Sequence, residues 1–240
     1  MTRFSKILFL GAALIMTAQP ALAEKSLTEQ LADKAAASKA NMPKEVLATM
    51  ANSEQSLRDA NLADKAPKAG DALPDGSFVT AKGEPSGLFD AIGDGPAIVT
   101  FYRGGWCPYC NLQLHAYQQH LPAIKAAGAT LVAITPETPD NSLDTTQKNE
   151  LQFAVLSDAN NEYARKIGIV FELDEKLKEA YLGFGIDLEK NQSNGAWELP
   201  LAATFIIDAD RTVRYAYVDV DYKKRADPEE LIAKLQELKK

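Results

Sequence analysis

The chain has 240 residues, 46% of them hydrophobic, with 26 basic against 33 acidic side chains and a net charge of −7. That composition can supply a sizeable core, and apart from the short Lys223-Lys224-Arg225 run it offers no basic patch for nucleic acid or an anionic membrane surface. With 2 cysteines, a framework of structural disulfides is excluded as well.

At the N-terminus, Arg3 and Lys6, the apolar core Ile7 to Met16 and Ala21-Leu22-Ala23 have the layout of a secretory signal peptide over residues 1–23, cut after Ala23. A bilayer span needs about 20 apolar residues and this core is roughly half that, so a retained anchor is disfavoured. Removal of the segment takes the net charge from −7 to about −9 and leaves about 217 residues, expected in the periplasm or secreted, with no remaining membrane role.

Residues 24–66 contain no glycine, and Leu27, Leu31, Val46, Leu47 and Met50 recur at helical spacing, which predicts two helices divided near Asn41-Met42-Pro43. The reading is a loosely attached helical extension, with a docked arm or a dimerisation element as the alternative. A break at Ala66-Pro67-Lys68-Ala69-Gly70 opens the main domain, residues 67–240.

Within that domain, Ala97 to Tyr102, Thr130 to Thr135 and Phe153 to Leu156 are short apolar runs separated by helical stretches. They predict a βαβαβ unit and a parallel sheet buried on both faces. Leu114, Tyr117, Leu121 and Ile124 form one stripe on the helix after the first run, and Pro122 is expected to kink or shorten that helix. Residues 168–199 read as an insertion with one helix, Asp174 to Tyr181. Thr204 to Ile207 and Thr212 to Tyr217, joined by an Asp-Ala-Asp-Arg turn, predict an antiparallel hairpin at a sheet edge. A last helix is capped by Asp227, with Pro228 at its first position and Glu230 three residues after the cap.

Both cysteines lie in FYRGGWCPYC, residues 101–110, between the first strand and the striped helix. A helix N-terminus stabilises a thiolate, and with Cys107 as the cap and Pro108 as the first helical residue Cys110 lies one turn inside, within disulfide reach. Cys107, expected nearest solvent, would attack, and Cys110 would resolve. Arg103 adds a cation upstream, and Gly104-Gly105 would let the loop approach a partner closely. A zinc site completed by His115 and His120 is disfavoured, because histidines five apart point about 140° from one another round a helix. Buried structural thiols and a purely structural disulfide, whose short loop would stabilise little, are the other readings. His115 and His120 read as surface or partly buried helix residues, and Trp106 as a packed aromatic or a platform beside the thiol.

FYRGGWCPYCNLQL, LVAITPE, LPLAATFIID and RYAYVDVDYKKRADPEE, in that order, resemble pieces of the peroxiredoxin-like proteins of the alkyl hydroperoxide reductase and thiol-specific antioxidant group, from about Ala66 to the C-terminus. The resemblance implies a thioredoxin-like α/β fold, a central mixed sheet flanked by helices, behind the helical extension. It also implies a cofactor-free peroxidase that reduces hydrogen peroxide or organic hydroperoxides through Cys107 and Cys110 and is recycled by a thioredoxin-like protein. An exported thiol-disulfide oxidoreductase is the alternative, and a thioredoxin module whose helical arm binds partners is the non-enzymatic reading.

Two positions depart from the pattern. Typical peroxiredoxins carry Thr-x-x-Cys, a register that places Cys110 at the attacking position and Cys107 where the threonine would stand, whereas in thioredoxins the first cysteine attacks. Ala202 stands where a cis-proline or an arginine beside the thiolate is expected, and Pro200 comes two residues early.

Overall fold

The computed structural model describes residues 25–192 and 194–239, so the signal-peptide segment lies outside the described residues. Helices α1 (Leu27–Asn41) and α2 (Lys44–Asp59) form the extension. Ser26 and Glu29 close a reciprocal capping box at the start of α1, which satisfies two of its free amides. The main domain then runs β1 (Ser77–Thr80), β2 (Pro85–Gly87), α3 (Leu88–Ile92), β3 (Ala97–Phe101), α4 (Pro108–Ala126), β4 (Thr130–Thr135), α5 (Pro139–Lys148), β5 (Ala154–Ser157) and α6 (Glu162–Lys166). It continues through β6 (Val170–Glu172), α7 (Glu175–Gly183), α8 (Leu188–Gln192), β7 (Glu198–Pro200), β8 (Ala202–Ile207), β9 (Val213–Asp219) and α9 (Pro228–Glu237).

The central sheet has the order β2-β1-β5-β4-β3-β8-β9. The three apolar runs read from the sequence pair in parallel, Ala97 opposite Thr130 and Val132 opposite Ala154. The β8–β9 hairpin adds on antiparallel, Ala97 opposite Ile207, with β9 at the edge. The sheet is therefore mixed and both of its faces are covered. Ile98, Leu131 and Val155 pack beneath α4 and α9, while Val99, Val132, Leu156 and Phe205 pack with Leu88, Ile92 and Tyr163 on the other face. The β1–β2 ribbon was not read from the sequence, its strands being short and broken by Gly83 and Pro85.

Helix α4 runs past Pro122 to Ala126 instead of stopping there. Leu114, Tyr117, Leu121 and Ile124 are all buried, and that packing outweighs the roughly 3 kcal/mol an internal proline costs. At α9, Asp227 accepts from the Glu229 amide as a cap, but Glu230 turns away to accept from the Tyr215 hydroxyl at 2.9 Å.

The insertion is richer than the single helix expected. β6 and β7 pair as a two-stranded ribbon, α8 follows α7, and Leu173, Leu177, Tyr181, Leu188, Trp197 and Leu199 give this region a core of its own. The extension is also not loose. Leu27 and Leu31 are buried in the core beneath α4 and α9, Tyr109 Oη lies 3.3 Å from Ser38 Oγ, and Tyr222 Oη donates to Met50 Sδ at 3.4 Å. Lys223 pairs with Glu54 as well. With only two buried leucines on α1 and none of its residues fully buried on α2, docking rests on a few side chains too sparse to read as a stripe.

Candidate functional site

Cys107 is the N-cap of α4 and Pro108 its first residue, as the spacing predicts. The approach loop is held by the Cys107 amide donating to Gly104 O at 3.1 Å and by Asn111 Nδ2 donating to Gly105 O at 2.7 Å. Gly104 (φ +152°) and Gly105 are needed for reasons inside the molecule. A side chain at Gly104 would strike the Trp106 indole and come within 2.8 Å of Glu137 Oε1, and one at Gly105 would strike Thr145 Oγ1.

Both cysteines are free thiols with 0% exposure, so Cys107 is not the solvent-facing residue expected. Trp106 and Tyr181 pack edge to face beside it, centroids 5.6 Å apart. Its Sγ takes no hydrogen bond from the amides of α4. Arg103 does that work instead: it is 4% exposed and donates from Nη2 to Cys107 Sγ at 3.0 Å, while Nη1 donates to Tyr181 Oη at 2.7 Å. The guanidinium also lies over the Tyr222 ring, 4.1 Å from its centroid.

A second arginine serves the second sulfur. Arg225, 5% exposed, places Nη2 3.5 Å from Cys110 Sγ and donates from Nε to Gln113 Oε1 at 2.9 Å. Gln113 in turn donates to Thr100 Oγ1 and Tyr117 Oη, so a buried polar chain braces Arg225 against the sheet. The expected arginine position, Ala202, is apolar on β8, and there are no cis peptide bonds among the described residues.

These neighbours separate the two thiols. Burial acts to raise Cys107, but the hydrogen bond from Cys110 and the charges of Arg103 and Arg225 overcome it and hold Cys107 well below the ordinary thiol range. Burial, the donated hydrogen bond and the Cys107 charge together hold Cys110 well above it, against the opposing pull of Arg225 and Arg103. The two shifts run in opposite directions, so of the two thiols Cys107 is the one whose thiolate its surroundings favour.

Glu137, missed by sequence reasoning although it closes LVAITPE, is buried and accepts from the Gly105 amide at 2.9 Å. Burial pushes its carboxyl up to about 7, against the opposing pull of that amide. His115 is exposed and His120 sits 2.9 Å from Ala116 O, so both are helix residues as read.

The model of the AhpC/TSA family matches residues 69–216. The chain belongs to the AhpC/TSA family. Peroxiredoxin Bcp of Escherichia coli (strain K12) is 26% identical over 152 residues, covering 63% of this chain and 86% of that one. A chloroplastic peroxiredoxin Q of Sedum lineare is 28% identical over 124 residues, covering 51% and 63%. Among solved structures, peroxidoxin BcpB of Mycobacterium tuberculosis superposes with a TM-score of 0.57 at 20% identity, covering 72% of this chain and 98% of that one. The Xanthomonas campestris bacterioferritin comigratory protein gives 0.54 at 15%, covering 68% and 92%. The fold of this AhpC/TSA-family chain is thus the thioredoxin-type peroxiredoxin fold, and the protein is a peroxidase-type oxidoreductase. Its α1–α2 pair and Arg225 both lie outside the matched segment.

Proposed function

We propose that this chain is an exported thiol peroxidase in which Cys107 attacks hydrogen peroxide or an organic hydroperoxide and Cys110 resolves. The observation that carries the reading is the Arg103 guanidinium 3.0 Å from Cys107 Sγ on the cap of α4. The Cys107 sulfur takes the terminal peroxide oxygen, the O–O bond breaks, and its electron pair leaves on the other oxygen, which takes a proton to depart as water or an alcohol. Cys107 is then a sulfenic acid. The Cys110 sulfur attacks it, the S–O bond breaks, and the departing hydroxide takes the Cys110 proton as water, leaving a Cys107–Cys110 disulfide.

Two electrons and two protons from the dithiol of a thioredoxin-like protein restore the pair. Export rests on the Arg3 to Ala23 pattern. Both sulfurs are fully buried, so in either reading the α4 cap must open before a partner protein's sulfur reaches the pair. The test is consumption of hydrogen peroxide by the reduced protein, coupled to a thioredoxin system, beside an insulin-reduction assay. Peroxide turnover with little insulin reduction is expected. The reverse pattern establishes the oxidoreductase instead.

A further inference from the structure

Tyr222, in the turn between β9 and α9, touches both arginines of the site. Its ring centroid lies 4.1 Å from Arg103 Cζ, and its carbonyl accepts from Arg225 Nη1. The ring is itself fixed from two sides. Tyr109, between the two cysteines on α4, meets it edge to face with centroids 5.4 Å apart, and the Tyr222 hydroxyl donates to Met50 Sδ on α2 at 3.4 Å.

Arg103 needs such a support. Nη1 and Nη2 are committed to Tyr181 Oη at 2.7 Å and Cys107 Sγ at 3.0 Å, and among the described residues the buried Nε has no acceptor. Two bonds from one end of a flat group leave it free to tilt about the line joining the two nitrogens, and a tilt spoils the alignment of the N–H with the sulfur. A ring face against the guanidinium resists that tilt, and the attraction between a cation and a ring face is larger when both are out of water. Lys223 Nζ also lies near the Tyr222 ring, 4.5 Å from its centroid, but it is paired with Glu54 and Asp221. Trp106 is the more distant ring for Arg103, at 5.2 Å.

We infer that Tyr222 is a positioning residue for the peroxidase reaction proposed above, on which this inference rests: its ring face holds the Arg103 guanidinium in line with Cys107 Sγ. Tyr222 acts only through Arg103. It lies beyond the family-matched residues 69–216, so this support is added to the matched segment from outside it.

The test is the pH profile of iodoacetamide alkylation at Cys107, located by peptide mass spectrometry, in the reduced mature chain and in Tyr222→Leu and Tyr222→Phe, with thermal melts to check folding. Both variants keep the backbone carbonyl that serves Arg225, and Tyr222→Phe also keeps the ring. The midpoint should rise by roughly one pH unit in Tyr222→Leu, with a peroxide rate constant about 10-fold lower at a pH below the parent's midpoint, and should stay near the parent's in Tyr222→Phe. Added to Arg103→Gln, Tyr222→Leu should give no further shift. Should Tyr222→Leu fail to fold, Tyr222→pentafluorophenylalanine, which keeps the ring's shape and reverses the polarity of its face, should give the upward shift instead. An unshifted midpoint in a folded variant without the native ring face overturns the proposal, as does a Tyr222→Phe midpoint as high as that of Tyr222→Leu or an undiminished shift on the Arg103→Gln chain. A parent that shows the expected profiles but consumes no peroxide overturns the peroxidase reading and leaves the Tyr222–Arg103–Cys107 arrangement standing.

Discussion

Arg103 Nη2 stands 3.0 Å from Cys107 Sγ, with the thiol fully and the guanidinium almost fully shut off from solvent. A buried guanidinium is costly unless an anion accompanies it, and a buried thiolate is costly unless a cation does. Each stabilises the other's charged form, and Tyr181 fixes the angle by accepting from the second nitrogen of the same guanidinium.

Arg103→Gln removes that cation while keeping a planar donor. The Cys107 thiol should move upward, and because the thiolate is the nucleophile the peroxide rate at pH 7 should fall roughly 10- to 100-fold, the value of a charge-assisted hydrogen bond. The pH profile of iodoacetamide alkylation at Cys107 checks it. A profile unshifted from that of the parent would show that Arg103 does not set the thiolate.

Arg225→Met should act on stability first. Gln113 Oε1 loses its partner in the core, as do the carbonyls of Tyr222 and Lys224 that Arg225 Nη1 serves. The cost should be about 1–3 kcal/mol, read as a lower urea midpoint with an unchanged slope. A midpoint equal to the parent's would show that the network is not stabilising.

Much of this site could be read from the chain before any coordinates, and part could not. The strand, the Gly-Gly-Trp loop and the striped helix are consecutive, so local patterning alone places Cys107 at a cap and Cys110 one turn in. Arg225 is 115 residues from Cys110 and reads as the end of a surface basic run. Only the turn between β9 and α9, closed on the core by Tyr222 and Ala226, points it inward. Glu137 reads as an ordinary turn residue after β4. Its burial is imposed from outside that segment, by the loop carrying Gly104 and Gly105. Docking of the extension was similarly illegible, because the contacts of Ser38, Met50 and Glu54 are with residues at least 71 positions away.

Glu137 gives a pH signature. Its carboxyl titrates at about 7 in the folded protein against an ordinary value of 4.5. Between those values the folded state holds a proton that the unfolded chain has lost, so stability should fall as pH rises through that window. The single-group effect is about 3 kcal/mol. Glu137→Gln, neutral at every pH, should flatten this part of the stability profile and raise stability at pH 8 relative to the parent. Chemical denaturation at pH 5, 6, 7 and 8 measures it, and a parent profile with the same slope as the variant's contradicts the assignment.

Gly105→Ala should destabilise by roughly 1–3 kcal/mol through overpacking against Thr145, with part of that loss restored by Thr145→Ala in the same chain. Thr145 Oγ1 is the atom struck first, while Thr145 Cβ would remain at 3.3 Å. A double-mutant cycle in thermal melts checks the coupling, and strictly additive losses would contradict the contact.

The order of attack within the pair is the centre of the account, and one trapping experiment decides it. Cys107→Ser and Cys110→Ser proteins are each treated with one equivalent of peroxide in the presence of dimedone, and the adducts are located by peptide mass spectrometry. The account predicts a dimedone adduct on Cys107 in the Cys110→Ser protein, formed at a rate near that of the parent's first step, with the Cys107→Ser protein inert. Fast reaction of Cys107→Ser with the adduct on Cys110 would contradict it and make Cys110 the residue that meets peroxide.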